Sequence, residues 1–262
     1  MPYAVNDGVK IYYELTGSGP FLVLLHGIGS SGQVWHDIGA VERFAQDFTV
    51  VTIDGRGLGK SDRPSEMAAY QRFVRRDDTI AVLDDIGADR AHLVGYSMGG
   101  RNACYVAALQ PERVASVVVS GANPYPMRVN LGLTADVRSP RVSQAPSPAP
   151  RPPSIPVRAV RKLVRILLRR SVAQPVPYMI RHADKVDFDV DSAAAAMTMP
   201  AFFLIAEFDT QFDVGLTREF AERLPASRFE IVPGEDHGML RRLGPWLPKI
   251  EEFIAEASVP AN

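Results

Sequence analysis

The sequence is poor in cysteine, in long apolar runs and in net charge, and each shortage excludes something. Its 262 residues contain a single cysteine, Cys104, so neither an internal disulfide nor a zinc site built from several thiolates can form. No stretch approaches the ~20 consecutive apolar residues that a bilayer-crossing helix needs. The start, Met1-Pro2-Tyr3-Ala4-Val5-Asn6-Asp7-Gly8, lacks the basic residues and apolar segment of an export signal. The expectation is a cytoplasmic protein. The 29 Lys and Arg nearly balance 30 Asp and Glu, for a formal net charge of −1. That balance gives no whole-chain attraction to nucleic acid or to an anionic membrane, so no nucleic-acid partner is expected. His36, His92 and His182 are scattered, with no His-x-x-x-His spacing and no carboxylate pairing. No metal and no cofactor are expected.

What is present is an ordinary globular composition, 46% apolar and 23% charged, with a strong α/β rhythm. Val9 to Glu14 reads as an edge strand. Phe21 to Leu25, Thr49 to Ile53, His92 to Gly95 and Val114 to Ser120 read as buried strands, with helical stretches over Met67 to Ile86 and Met98 to Leu109 between them. After Met199-Pro200 the rhythm resumes: a strand over Ala201 to Ala206, a helix over Val214 to Leu224, a strand over Arg228 to Val232 and a closing helix from Trp246 to Ala257. The fold class this predicts is α/β, a mostly parallel central sheet flanked by helices. Residues 1–122 and 200–262 form the core, and 123–199 an insertion.

The insertion is set apart by composition. It holds 12 Lys and Arg against 5 Asp, and the seven prolines between Ser139 and Pro156 predict an extended, loop-like stretch. From Val157 to Ala173, Val157, Val160, Leu163, Val164, Leu167 and Leu168 share one helical face. Arg158, Arg161, Lys162, Arg165 and Arg169 take the other. Two readings stand for this basic amphipathic helix. Either its apolar face packs on the core with the arginines in water, or the arginines meet an anionic partner, a phospholipid surface or a phosphate-bearing acyl carrier such as a coenzyme A thioester.

The chemistry centres on Gly95-Tyr96-Ser97-Met98-Gly99-Gly100, a G-x-S-x-G between an apolar strand and an Ala-rich helix. Small residues two positions either side of the serine let strand and helix approach, and the turn holds the hydroxyl clear of the sheet. The Met98 N–H then lies at a helix N-terminus, where an unpaired donor can stabilise a developing oxyanion.

With Leu25-His26-Gly27-Ile28-Gly29, Asp54-Gly55-Arg56-Gly57-Leu58-Gly59-Lys60-Ser61, Ala206-Glu207-Phe208-Asp209 and Pro233-Gly234-Glu235-Asp236-His237-Gly238, this turn gives a chain that resembles the α/β-hydrolase superfamily. The likeness is to its lid-bearing, serine esterase-like and epoxide-hydrolase-like branch, over almost everything outside 123–199. Two positions depart from the pattern: Ala206 and Asp236 stand where glycine is common. The resemblance implies an α/β-hydrolase fold in which the insertion is a lid, with Ser97 as nucleophile, Asp209 as acid and His237 as base. It also implies the N–H of Ile28 as second oxyanion donor, with a small-molecule acyl substrate. Asp213 and Glu207 also lie near enough in sequence to orient the histidine.

For other residues the plainer readings are these. His26 orders its loop, with direct proton transfer as the alternative. Asp54 and Arg56 pair inside a packed turn rather than cradling a phosphate, because the Gly55-x-Gly57-x-Gly59-Lys60-Ser61 spacing is not that of a phosphate loop. Cys104, two turns beyond Ser97, is a small buried hydrophobe. Together these point to hydrolysis of a carboxylic ester or related acyl compound through a Ser97 acyl-enzyme. A C–C bond hydrolase, a thioesterase, a cofactor-free perhydrolase and a non-catalytic binding protein remain as alternatives.

Overall fold

A computed structural model describes residues 2–70, 73–125 and 188–258. Among them eight strands form one sheet: β1 (Tyr3–Asn6), β2 (Val9–Thr16), β3 (Phe21–Leu25), β4 (Thr49–Ile53), β5 (Ala91–Tyr96), β6 (Val114–Ser120), β7 (Ala201–Phe208) and β8 (Ser227–Asp236). Their order is β1-β2-β4-β3-β5-β6-β7-β8, with β1, β2 and β4 antiparallel neighbours and every other pair parallel. The helices are α1 (Gln33–Asp37), α2 (Ala40–Phe44), α3 (Val74–Asp85), α4 (Met98–Leu109), α5 (Val190–Ala196), α6 (Val214–Glu222) and α7 (Leu247–Ser258).

The strands' two-residue period divides the core into two layers. Leu22 and Leu24 of β3 face Trp35, Phe44, Ile250 and Ile254 of α1, α2 and α7. Val23 and Leu25 face the other way, onto Val82, Leu83, Ala103 and Val106 of α3 and α4. The central strand β5 is buried along its whole length, which suits a strand covered on both faces. From β3 the chain moves outward to β4, whereas from β5 it moves the opposite way to β6. The carboxyl ends of β3 and β5 therefore flank the point where the winding reverses, the crevice in which open α/β sheets bind ligands.

Three local expectations are corrected. Val9 to Glu14 is not at the edge, because β1 pairs outside it through the two-residue Asp7-Gly8 turn. Both turn residues have positive φ, 49° and 75°, the Asp-Gly pattern of a tight hairpin. The stretch from Met67 to Ile86 is not one helix: a 3-10 turn, Met67–Tyr70, precedes α3, and Phe73 at the start of α3 has φ 62°, which no continuous helix admits. Asp54 and Arg56 do not pair with each other. Asp54 accepts from the backbone of Gly32 and Lys60, and Arg56 binds Asp78.

Cys104 is completely buried, and burial pushes its thiol up to about 12. No helix among the described residues is long and apolar enough to cross a membrane, and no three His, Cys, Asp or Glu side chains among them converge on a metal-sized site. The expected proline-rich loop of 139–156, the basic helix of 157–173 and His182 lie outside the described residues.

Candidate active site

Ser97 stands between the end of β5 and the start of α4 with φ 54° and ψ −115°. Such a backbone costs a residue with a side chain ~1–3 kcal/mol and persists only where the surroundings enforce it. Here Ser97 N–H donates to Ser120 O at 2.8 Å, and Arg101 N–H donates to Ser97 O at 3.0 Å. The flanking glycines leave no choice of side chain. A Cβ on Gly95 would stand 2.3 Å from Gly99 O, and one on Gly99 would stand 2.1 Å from Leu25 O. The helix start is thus pressed onto the end of β3.

The Ser97 hydroxyl lies 2.9 Å from His237 Nε2, and His237 Nδ1 lies 2.8 Å from Asp209 Oδ2. Asp209 follows β7 and His237 follows β8, so three strand ends bring these groups to one rim of the sheet. The Asp209 side chain is sealed from water, and its second oxygen accepts the N–H groups of Gln211 and Phe212 at 2.8 and 3.0 Å. A carboxylate held this way offers only acceptors to His237. The ring proton therefore sits on Nδ1, and Nε2 presents a lone pair to the serine.

Two aromatic residues that sequence reasoning missed fix the ring. Tyr96 lies near-parallel to His237 at 5.7 Å between centroids, and Phe212 lies tilted against it, also at 5.7 Å. The Tyr96 hydroxyl donates to the His237 carbonyl, and burial raises its phenol well above the ordinary value. The available signal was position alone: Tyr96 precedes the serine, and Phe212 follows Asp209 by three.

The other acidic candidates are engaged elsewhere. Glu207 accepts from Gly234 N–H at 2.8 Å, Asp213 caps α6 through Leu216 N–H at 2.8 Å, and Asp236 accepts from Gly238 N–H at 2.8 Å. His26 is fully buried. Its Nε2 accepts from Gly55 N–H at 3.0 Å, so its Nδ1 carries the proton donated to Gly27 O at 2.7 Å. Burial also holds its pKa below the ordinary value, so His26 is a neutral tie between two loops. Ile28 follows in the loop after β3, half exposed, and its N–H has no acceptor among the described residues. Met98 is the first residue of α4, so its N–H has no partner within the helix.

A family profile described as the alpha/beta hydrolase fold matches residues 20–139. The chain has the α/β-hydrolase fold. The matched stretch runs from β3 past the Ser97 turn and β6. The chain is 28% identical to a 2-(acetamidomethylene)succinate hydrolase of Mesorhizobium japonicum, over 84% of this chain and 82% of that one. It is 24% identical to a pimeloyl-[acyl-carrier protein] methyl ester esterase of Vibrio parahaemolyticus, over 94% and 96%. Among solved structures, the meta-cleavage product hydrolase of Pseudomonas fluorescens superposes with a TM-score of 0.75, covering 98% of both chains at 18% identity. That likeness is one of fold.

Proposed function

We propose that the protein is a serine hydrolase that cleaves a carboxylic ester or related acyl compound through a Ser97 acyl-enzyme. The observation that carries this reading is the unbroken relay from the Ser97 hydroxyl through both ring nitrogens of His237 to the sealed Asp209 carboxylate. A serine hydroxyl is a poor nucleophile at neutral pH until a base takes its proton. In the proposed step Ser97 Oγ attacks the acyl carbon as its proton passes to His237 Nε2, and Asp209 stabilises the resulting imidazolium. The negative charge that develops on the acyl oxygen is received by the N–H groups of Ile28 and Met98. His237 then returns the proton to the leaving group, and water activated by the same nitrogen releases the acid.

The relatives fit hydrolytic chemistry without choosing the bond, since their names include a hydrolase acting on 2-(acetamidomethylene)succinate and a methyl ester esterase. Residues 123–199 are assigned the substrate-covering role that an insertion at this point of the fold suggests. The test is labelling with a fluorophosphonate, followed by a panel of 4-nitrophenyl esters of graded acyl length alongside acyl-CoA thioesters. Wild type is expected to be labelled and Ser97→Ala not. An unlabelled wild type would sink the reading in favour of a binding protein. Thioester turnover exceeding ester turnover would move the substrate class to thioesters.

A further inference from the structure

Ser97 and His237 stand on parts of the fold with unequal support. Ser97 follows β5, which is buried along its length and paired on both sides. His237 follows β8, which among the described residues pairs only with β7 and ends the sheet. Around it Pro233, Gly234, Asp236 and Gly238 are exposed. The backbone with least to hold it thus carries the base. A base must stay within ~2.6–3.2 Å of the proton it takes, and a shift of ~1 Å can cost ~100-fold in rate.

One side chain spans the two regions. Tyr96 is the last residue of β5, immediately before Ser97, and is only 8% exposed. Its hydroxyl donates to the His237 carbonyl oxygen, and its ring lies at 27° to the imidazole. Both ring edges are also occupied. A Cβ on Gly27 would stand 3.0 Å from Tyr96 Cδ1, and one on Gly121 would stand 3.2 Å from Tyr96 Cε2. Gly27 precedes Ile28 in the loop after β3, and Gly121 follows β6. With its edges against these backbones, a face against the imidazole and its hydroxyl bonded, the ring has little freedom to turn.

A buried tyrosine hydroxyl needs an acceptor somewhere. Tyr13 shows that need met without any tie to the site: it is 7% exposed, and its hydroxyl donates to Asp85 Oδ2 at 2.6 Å. What sets Tyr96 apart is its acceptor, the carbonyl of the base's own residue, 141 positions along the chain. Burial, with the Asp209 charge adding to it, raises the Tyr96 phenol well above its ordinary value. The hydroxyl therefore remains a donor wherever a histidine can act as base.

We propose that Tyr96 is a positioning residue: by holding the His237 backbone from the position next to the nucleophile, it keeps the imidazole within hydrogen-bond reach of the Ser97 hydroxyl. This rests on the serine hydrolase reading and adds a residue to its machinery.

Tyr96→Phe keeps the ring and removes one oxygen, and Tyr13→Phe removes the same group away from the site. Both variants are expected to lower the denaturation midpoint, but only Tyr96→Phe to slow the chemistry. Because the imidazole serves acylation and deacylation alike, kcat and kcat/KM for 4-nitrophenyl esters should fall together by at least ~10-fold, with KM nearly unchanged. Fluorophosphonate labelling should slow by a similar factor. Rates in Tyr96→Phe within ~2-fold of wild type overturn the proposal, since misplacing the base costs more than that. So does an equal loss of rate in Tyr13→Phe, which would tie the effect to stability alone. Tyr96→Met, a flexible side chain without the hydroxyl, takes the place of Tyr96→Phe if that variant is insoluble, with the same outcomes.

Proton NMR with isotope-labelled histidine reads the position of the base without substrate. The wild type is expected to show a downfield resonance of the His237 Nδ1 proton shared with Asp209, identified by its absence from His237→Ala. It should move or broaden in Tyr96→Phe and stay in Tyr13→Phe. A resonance unchanged in Tyr96→Phe, or missing from the wild type, overturns the proposal. Wild-type Ser97 left unlabelled by fluorophosphonate counts instead against the hydrolase reading, and the resonance still decides whether Tyr96 holds the imidazole.

Discussion

His237 is held on four sides, by Ser97 and Asp209 at its two nitrogens and by Tyr96 and Phe212 on its faces. A ring clamped this way needs no reorganisation to accept a proton, which is the economy of a preorganised site. On the proposed mechanism, Ser97→Ala and His237→Ala are each expected to lower kcat/KM by at least ~10³-fold. The melting temperature of Ser97→Ala should stay close to wild type, since only one oxygen is lost, whereas His237→Ala empties the space between Tyr96 and Phe212 and should melt lower. Asp209→Asn should be nearly as damaging, because an amide can offer a donor to Nδ1 and favour the wrong tautomer. Asp213→Ala serves as the contrast. It removes the cap of α6, so it should cost ~1 kcal/mol in chemical denaturation and leave ester turnover intact. Loss of turnover in Asp213→Ala with little loss in Asp209→Asn would reassign the acid.

At the level of elements, the decisive contact is the start of α4 against the end of β3. Gly99→Ala would drive a methyl carbon into the Leu25 carbonyl at 2.1 Å, a backbone atom that cannot swing aside. Either β3 or α4 must move, and with it the loop carrying His26 and Ile28. The expected result is a destabilisation of several kcal/mol, at or beyond the ~1–3 kcal/mol usual for overpacking, read as a lowered denaturation midpoint or insoluble expression. Gly244→Ala is the control, because no heavy atom lies within 4 Å of its added Cβ; its midpoint should shift by no more than ~0.5 kcal/mol. Equal behaviour of the two variants would mean that close approach at Gly99 is not what holds the turn.

Across the whole molecule, His92 joins three elements at the end of the sheet opposite Ser97. Its Nδ1 lies 2.8 Å from Ser116 Oγ of β6, and its Nε2 lies 3.2 Å from Ser258 Oγ at the end of α7. Burial, with Arg90 adding to it, lowers its pKa from 6.5 to about 4. The unfolded chain therefore binds a proton near pH 6.5 that the folded chain refuses until about pH 4. Stability from this residue is fully present above pH 6.5 and is lost as pH falls towards 4, an effect on the order of 3 kcal/mol. His26, lowered by burial in the same direction, adds to the slope. Melting temperature is expected to fall on acidification through this window, and His92→Gln should be less stable at pH 7 but show a shallower fall. An unchanged slope in His92→Gln would remove His92 from the account.

Much of this architecture was legible in the chain. Runs such as Thr49 to Ile53 and Val114 to Ser120 are strands because β-branched side chains suit a pleated, doubly covered surface. The Gly95-x-Ser97-x-Gly99 spacing is a turn because no larger residue fits there. Even β1 had a signal, the Asp7-Gly8 pair, whose positive φ angles make a hairpin and displace β2 from the edge. Apart from the approach of Gly99 to Leu25, these features depend on sterics within a few residues, and sequence order carries such constraints.

What tertiary structure alone decided is which distant groups meet. It set Asp209 rather than Asp213 or Glu207 against His237, and gave the ring its Tyr96 and Phe212 neighbours. It also gave Asp78 to Arg56. Ser97 and His237 are 140 positions apart in the chain. Their contact follows from strand order and helix docking, which depend on how whole faces bury against each other and leave no trace in local spacing.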